Sequence, residues 1–271
     1  MPNPLGRRLS ERDLRDLLPG VTGLIAGLEP LGRSVLEGSQ LRVISRCGAG
    51  LSNVDPDAAR ELGIVVRSTP DAPTTAVAEL TIGAMVALLR GIAAMNAELH
   101  AGRWSRTMGT QIEGKTVAVV GFGRIGRRVA RLLIAFGARV LAVDPCLDEV
   151  EPPIERATLE AALPIADVLA LHATGGQTIL GKPELQRLKR GAFVLNGGRG
   201  ELIDEDALCN ALDEGQVAGA WIDAFRDEPY TGPLTRYPQV LLTPHVGSLT
   251  AECRRRMEFE AVENLLEALR G

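Results

Sequence analysis

The stretch TVAVVGFGRIG, Thr116 to Gly126, decides how this chain folds. Five apolar or β-branched residues read as a buried strand. Gly121-Phe122-Gly123-Arg124-Ile125-Gly126 then turns the chain into a helix. In such a turn the first glycine permits the tight bend. The second lets backbone approach a diphosphate, and the third lets helix and strand pack closely. An anion would rest on the helix N-terminus, where N–H groups lack partners and the helix dipole is positive. The next strand, RVLAV (139–143), ends at Asp144, 23 positions after Gly121. A carboxylate there accepts hydrogen bonds from ribose hydroxyls and repels a 2′-phosphate. No Lys or Arg lies between Pro145 and Pro152, so the residues favour NAD over NADP.

Downstream, apolar runs alternate with helical stretches: DVLALHA (167–173), AFVLNGG (192–198), VAGAWIDA (217–224) and VLLTPH (240–245). Near-continuous apolar strands are what a parallel sheet covered on both faces requires. Asp204, Glu205 and Asp206 suit a helix start, and Gly191 and Gly215 lie where helices should stop.

Upstream lies a second unit. Ser10 and Asp13 predict a capped helix over LSERDLRDLL, followed by strands GLIAG (23–27), RVISR (42–46) and IVVRS (64–68). One long helix over about 74–101 is expected to join the units as a hinge. A last helix over about 250–270 carries Met257, Ala261, Val262, Leu265, Leu266 and Leu269 at helical spacing. The expected fold class is α/β, with two doubly wound parallel-sheet domains. Residues 1–92, completed by 250–271, form the smaller one, and 93–249 form a Rossmann-type dinucleotide domain.

The whole composition fits a globular protein: 271 residues, 45% hydrophobic and 24% charged. A net charge of −4 and 3% aromatics argue against nucleic-acid binding. Arginine supplies 27 of the 30 basic residues, which reads first as a compositional bias. No apolar run reaches membrane-spanning length, and the N-terminus MPNPLGRRLS lacks the apolar core of a signal peptide. Cys47, Cys146, Cys209 and Cys253 form no metal-ligand spacing, so the expectation is a reducing cytoplasm and no metal.

Three chemically capable residues fall at strand C-termini, the edge where ligands bind in such sheets. Arg199 follows Asn196-Gly197-Gly198 and can hold a carboxylate with two hydrogen bonds. Glu228 lies in Asp227-Glu228-Pro229, after Ile222-Asp223-Ala224. His245 lies in Thr243-Pro244-His245-Val246-Gly247. Histidine exchanges a proton near neutral pH, as oxidation of a hydroxyl requires.

Taken together these motifs resemble the D-2-hydroxyacid dehydrogenases, in particular their D-3-phosphoglycerate dehydrogenase-like branch. The resemblance runs from about Ser10 onward. It covers VISRCGAGLSNVD (43–55), STPDAPTTAVAEL (68–80), VVGFGRIGRRVA (119–130), LNGGRGELIDEDAL (195–208), GAWIDAFRDEPYTGPL (219–234) and LLTPHVGS (241–248). It implies hydride transfer between NAD and a small 2-hydroxy or 2-oxo acid. Arg199 would hold the substrate carboxylate and 2-oxo oxygen, His245 would be the acid/base, and Glu228 its partner. Gly121, Gly123, Arg124, Ile125, Gly126, Asp144, Ala173, Gly197, Gly198, Asp223, Val246, Gly247 and Ser248 would contact the cofactor. Arg46, Gly48, Ala49 and Gly50 would meet the substrate, and the chain would form a homodimer.

Three departures qualify this picture. Relatives begin with a further β-α-β, so the smaller domain is expected to be a shortened flavodoxin-like one with GLIAG at a sheet edge, covered by another segment or partner or else mobile. The segment Ile25-Ala26-Gly27-Leu28-Glu29 lacks an arginine that phosphoglycerate-specific relatives carry, while Arg46 remains. Thr174 replaces their usual proline. Two other readings stay open, a non-catalytic NAD(H)-sensing corepressor-like protein and an inactive, shortened paralogue.

Overall fold

The structure, a computed structural model, describes residues 3–51 and 53–270. Ser52, within one of the stretches that carry the resemblance, lies outside the described residues. The chain divides into two compact units, residues 1–73 with 249–271, and residues 74–248.

The smaller unit opens with α1 (Glu11–Leu17). The expected capping box is formed: Ser10 Oγ accepts from the Asp13 N–H, and the Ser10 N–H donates to the Asp13 carboxylate. Then follow β1 (Gly23–Ala26), α2 (Arg33–Leu36), β2 (Val43–Arg46), α3 (Pro56–Glu61) and β3 (Val65–Ser68). The strands pair in parallel in the order β1-β2-β3. That order leaves β1 at an edge, as expected, and among the described residues no other strand covers it.

The larger unit begins with α4 (Thr74–Arg90) and α5 (Ile92–His100). The single long helix expected over 74–101 is therefore broken. Gly91 sits between them at φ 62°, and the two axes diverge by 66°. Only glycine adopts that backbone readily. The boundary also lies earlier than expected, at Pro73 and not residue 92, and returns at Ser248. The reason is packing, since the buried face of α4 (Ala78, Ala84, Met85, Leu89) joins the core of the dinucleotide sheet.

That sheet is built from β4 (Thr116–Val120), β5 (Arg139–Val143), β6 (Glu155–Arg156), β7 (Val168–Leu171), β8 (Ala192–Asn196), β9 (Val217–Ile222) and β10 (Val240–Leu242). It is parallel throughout, in the order β10-β9-β8-β7-β4-β5-β6. Between the strands run α6 (Arg124–Ala135), α7 (Leu159–Ala162), α8 (Lys182–Arg187) and α9 (Glu205–Asp213). The order reverses beside β4, and in such sheets ligands bind outside the strand C-termini at that point. Both faces are buried, by Leu169, Leu171 and Val194 on one side and by Val117, Val119 and Trp221 on the other. The two-residue β6 had no expectation. The strands β7 to β10 end earlier than the apolar runs that predicted them, which frees residues 172–173, 197–198, 223–224 and 243–245 for loops. Asp204 caps α9 as expected, through the Ala207 N–H, and Gly215 follows that helix at φ 65°. Gly191, by contrast, belongs to the turn before β8, since α8 already ends at Arg187.

The chain closes with α10 (Ala251–Arg270) in the smaller unit. Cys253, Met257 and Ala261 are its buried residues, and Leu265 and Leu269 lie against Gly23. Val262 and Leu266, which share the helical spacing, are exposed. Among the described residues no single helix is long and apolar enough to cross a membrane.

Candidate active site

The phosphate-loop glycines have separable reasons. Gly121 sits at φ 89°, and a Cβ there would collide with the Ala173 backbone. A Cβ on Gly126 would strike the Gly121 carbonyl oxygen. Gly123 has nothing within 4 Å of its Cβ position. It precedes the 12-residue α6, whose N-terminus has no side-chain cap and no acidic residue in its first turn. Open space, a helix start without a side-chain cap and the positive helix end suit a diphosphate, so the residues fit a dinucleotide. Arg124 is exposed and Ile125 half-buried at the start of that helix.

Asp144 ends beside this loop. Its Oδ2 accepts from the Phe122 N–H at 2.8 Å and its Oδ1 from the Cys146 N–H at 2.9 Å. The carboxylate is half-exposed, so it orders the glycine turn while still meeting solvent.

Across the β4–β7 junction the chain runs close. Ala173 is wedged between the Gly121 turn and Gly198, whose Cβ would lie 3.0 Å from the Ala173 carbonyl oxygen. Asn196, buried at the end of β8, shapes the next turn. Its Nδ2 donates to the Arg199 carbonyl at 2.8 Å, and its Oδ1 accepts from the Gly198 N–H at 3.1 Å. Arg199 is half-buried and donates to the Gly198 carbonyl at 2.9 Å. Gly197 is closely packed: a Cβ would press on the Trp221 ring at 3.2 Å and His172 Cε1 at 3.1 Å.

His245 and Glu228 are brought together. Nδ1 of His245 lies 3.0 Å from Oε1 and 3.1 Å from Oε2 of Glu228. Oε1 also accepts from the Phe225 N–H at 3.0 Å, which fixes the carboxylate. Both side chains are partly open to solvent. With the carboxylate on Nδ1, the neutral imidazole carries its proton there, which leaves Nε2 the ring nitrogen able to accept a proton. Arg199 is not bonded to this pair among the described residues.

Asp223 is almost fully buried, and both its oxygens are engaged: Oδ1 accepts from Thr243 Oγ1 and the Val246 N–H, and Oδ2 from the Gly247 N–H. Expected as a cofactor contact, it is bonded in this structure to the turn after β10. Ser248, half-buried, ends that turn.

Sequence reasoning missed Asn196, Trp221, Thr243 and His172. The signal for Asn196 was its place before two glycines, but the other contacts join residues far apart in sequence. Both ring nitrogens of His172 are shut from solvent and have no hydrogen-bond partner in the protein, and burial lowers its pKa to about 4. A cavity of about 520 Å³ opens nearby, lined by Asn196, Gly200, Asp204, Asp227 and Tyr230 among others, but not by Arg199, Glu228 or His245.

In the smaller unit Arg46 ends β2 and donates to the Cys47 carbonyl at 2.7 Å. Gly48 sits at φ 136°, where a side chain would run into the Arg46 guanidinium. Its N–H donates to Thr69 Oγ1 at 2.8 Å, a second contact not anticipated. Ala49 is exposed and Gly50 half-buried. Burial raises the Cys47 thiol above its ordinary pKa.

The family model described as D-isomer specific 2-hydroxyacid dehydrogenase, NAD binding domain, matches residues 82–247. The chain belongs to the D-2-hydroxyacid dehydrogenase family. Its larger unit is the family's NAD-binding domain. The chain is 35% identical to a hydroxypyruvate reductase of Thermotoga maritima, over 96% of this chain and 89% of that protein. It is 39% identical to a D-3-phosphoglycerate dehydrogenase of Mycobacterium tuberculosis, over 86% of this chain but 46% of that protein. The chain thus spans about half the length of that D-2-hydroxyacid dehydrogenase relative. A crystal structure of a protein from Thermus thermophilus superposes with a TM-score of 0.93 at 36% identity, covering 98% of this chain and 88% of that one.

Proposed function

We propose that the chain is an NAD-dependent oxidoreductase that interconverts a small D-2-hydroxy acid and its 2-oxo acid. The observation that carries this is the His245–Glu228 pair at 3.0 Å on the strand edge that also holds the dinucleotide loop. The bound nicotinamide would supply hydride acceptance and donation. His245 Nε2 takes the hydroxyl proton during oxidation and returns it during reduction, and Glu228 holds the ring in place. Arg199 holds the acid carboxylate and polarises the 2-oxo oxygen. Gly121, Gly123, Arg124, Ile125 and Gly126 take the diphosphate, and Asp144 takes the adenosine ribose and selects NAD over NADP. Ala173, Gly197, Gly198, Asp223, Val246, Gly247 and Ser248 line the nicotinamide side. To the smaller unit this reading assigns substrate contacts at Arg46, Gly48, Ala49 and Gly50. The relatives' names make glyoxylate, hydroxypyruvate and D-3-phosphoglycerate the first acids to try.

We further infer a homodimer. No residue of α5 is buried, and Ile92, Leu99, Trp104 and Met108 are exposed, the last two at 82% and 96%. Such a run of apolar surface suits a second copy of the chain. The four cysteines are all free, which supports a reducing compartment such as the cytoplasm.

The test is reduced-nicotinamide absorbance with NADH and NADPH against a panel of 2-oxo acids, alongside dinucleotide binding by calorimetry. Turnover of at least one acid with NADH is expected. Tight NADH binding with no turnover of any acid would favour the sensing, corepressor-like reading instead.

A further inference from the structure

The turn Thr243–Gly247 carries His245 in an unusual backbone. His245 has φ 53°, and it is the one residue other than glycine with positive φ among those described. A side chain in that region persists only where the surroundings over-determine it. What over-determines it is a chain of hydrogen bonds reaching back to β9. The indole Nε1 of Trp221 donates to Thr243 Oγ1 at 2.9 Å. Thr243 Oγ1 donates to Asp223 Oδ1 at 2.6 Å. The same Asp223 oxygen accepts from the Val246 N–H at 2.9 Å, and the other from the Gly247 N–H at 2.9 Å.

The chemistry of each group fixes the direction of this chain. An indole N–H can only donate, so it occupies a lone pair of the threonine oxygen. The hydroxyl proton is left for Asp223. A buried carboxylate needs such donors, and this one has three, two of them the N–H groups that follow His245. The ladder bond of Thr243, from its N–H to the Ile222 carbonyl, does not involve the hydroxyl. Trp221 is itself fully buried and lies against Gly197, so the group that orients Thr243 also borders the turn leading to Arg199.

We propose that Thr243 is a positioning residue for the acid/base. Its hydroxyl, oriented by Trp221, locks Asp223 onto the turn and holds His245 in the left-handed backbone that keeps Nδ1 on Glu228. The proposal rests on the reading of His245 as the acid/base.

The test compares Thr243→Val, which keeps the shape and removes the hydroxyl, with Thr243→Ser, which keeps the hydroxyl. Thr243→Val lowers kcat about 10–100-fold, the scale of a small misplacement of a reacting group, and leaves the KM for the acid near that of the unaltered protein. Thr243→Ser restores most of kcat. Trp221→Phe keeps most of the ring, loses the N–H and lowers kcat in the same direction. The double variant is little slower than Thr243→Val alone, since both remove one unit. Without cofactor, the imidazole resonances of His245, assigned with His245→Ala, are sharp in the unaltered protein and in Thr243→Ser and broadened or doubled in Thr243→Val. Full kcat in Thr243→Val, a Thr243→Ser variant as slow as Thr243→Val, or an unchanged His245 signal overturns the proposal. Failure of the underlying reading looks different: His245→Ala then keeps its turnover, and the resonances alone decide the positioning.

Discussion

The backbone N–H of Phe122 donates to the carboxylate of Asp144, joining the glycine turn after β4 to the end of β5. The residue proposed to select the dinucleotide therefore also shapes the loop proposed to bind it. Asp144→Ala is expected to lose both NAD preference and NAD affinity. A lost acceptor for a partly buried N–H costs about 1–3 kcal/mol, so affinity falls about 5- to 150-fold. Asp144→Asn keeps an acceptor for Phe122 and should lose chiefly the discrimination against NADP. Titration of both variants with both dinucleotides checks this; NAD affinity unchanged in Asp144→Ala would separate the two roles.

The two glycines that flank the start of α6 should fail differently. Gly126→Ala forces a methyl into the Gly121 carbonyl, so it should lower the melting temperature as well as abolish dinucleotide binding. Gly123→Ala meets no protein atom within 4 Å, so its melting temperature should hold while binding weakens. Thermal melts with and without NADH separate the two cases.

His245→Ala should lower kcat by about 10²–10⁴ while NADH still binds, the usual contribution of a positioned acid/base. Glu228→Gln should lower kcat less than His245→Ala does while NADH still binds, because the side chain 3.0 Å from Nδ1 fixes the ring. Unchanged kcat in that variant would remove Glu228 from its role.

His172 makes stability pH-dependent. Burial holds its pKa near 4, whereas the unfolded chain binds that proton below about 6.5. The unfolded state therefore gains protons first as pH falls. The stability is whole above about pH 6.5, declines between there and 4, and levels below, with a total change of about 3 kcal/mol. Denaturant unfolding at pH 7, 5.5 and 4.5 should show the decline, and His172→Gln should flatten its share. Parallel curves for the two proteins would show that His172 does not carry it.

What could be read from the chain was what is local. The capping box at Ser10, the cap at Asp204 and the glycine turn at 121–126 each involve residues within six positions, and the structure forms all three. Apolar runs also located every strand of the dinucleotide sheet except β6, which has no apolar pattern to betray it. The break at Gly91 escaped because a lone glycine inside a helical pattern costs only about 1 kcal/mol and is often tolerated. The boundary at Pro73 escaped for a related reason, because the partner of the apolar face of α4 is settled by packing. At the site, residue types gave His245 and Glu228 as candidates. Nothing in the sequence ties Trp221 to Thr243, 22 positions away, and no local rule marks His172 as unpartnered.

The chain's two tryptophans stand in opposite surroundings, Trp221 wholly buried beside the Arg199 and His245 turns and Trp104 at 82% exposure beyond α5. Their fluorescence should separate by wavelength, blue for the first and red for the second. Reduced nicotinamide absorbs where a buried indole emits, so energy transfer from Trp221 would report cofactor arrival with no label attached. A blue shift of the Trp104 band on concentration would report self-association in the same cuvette. One unmodified sample thus carries a separate optical channel for each of the two events proposed for it.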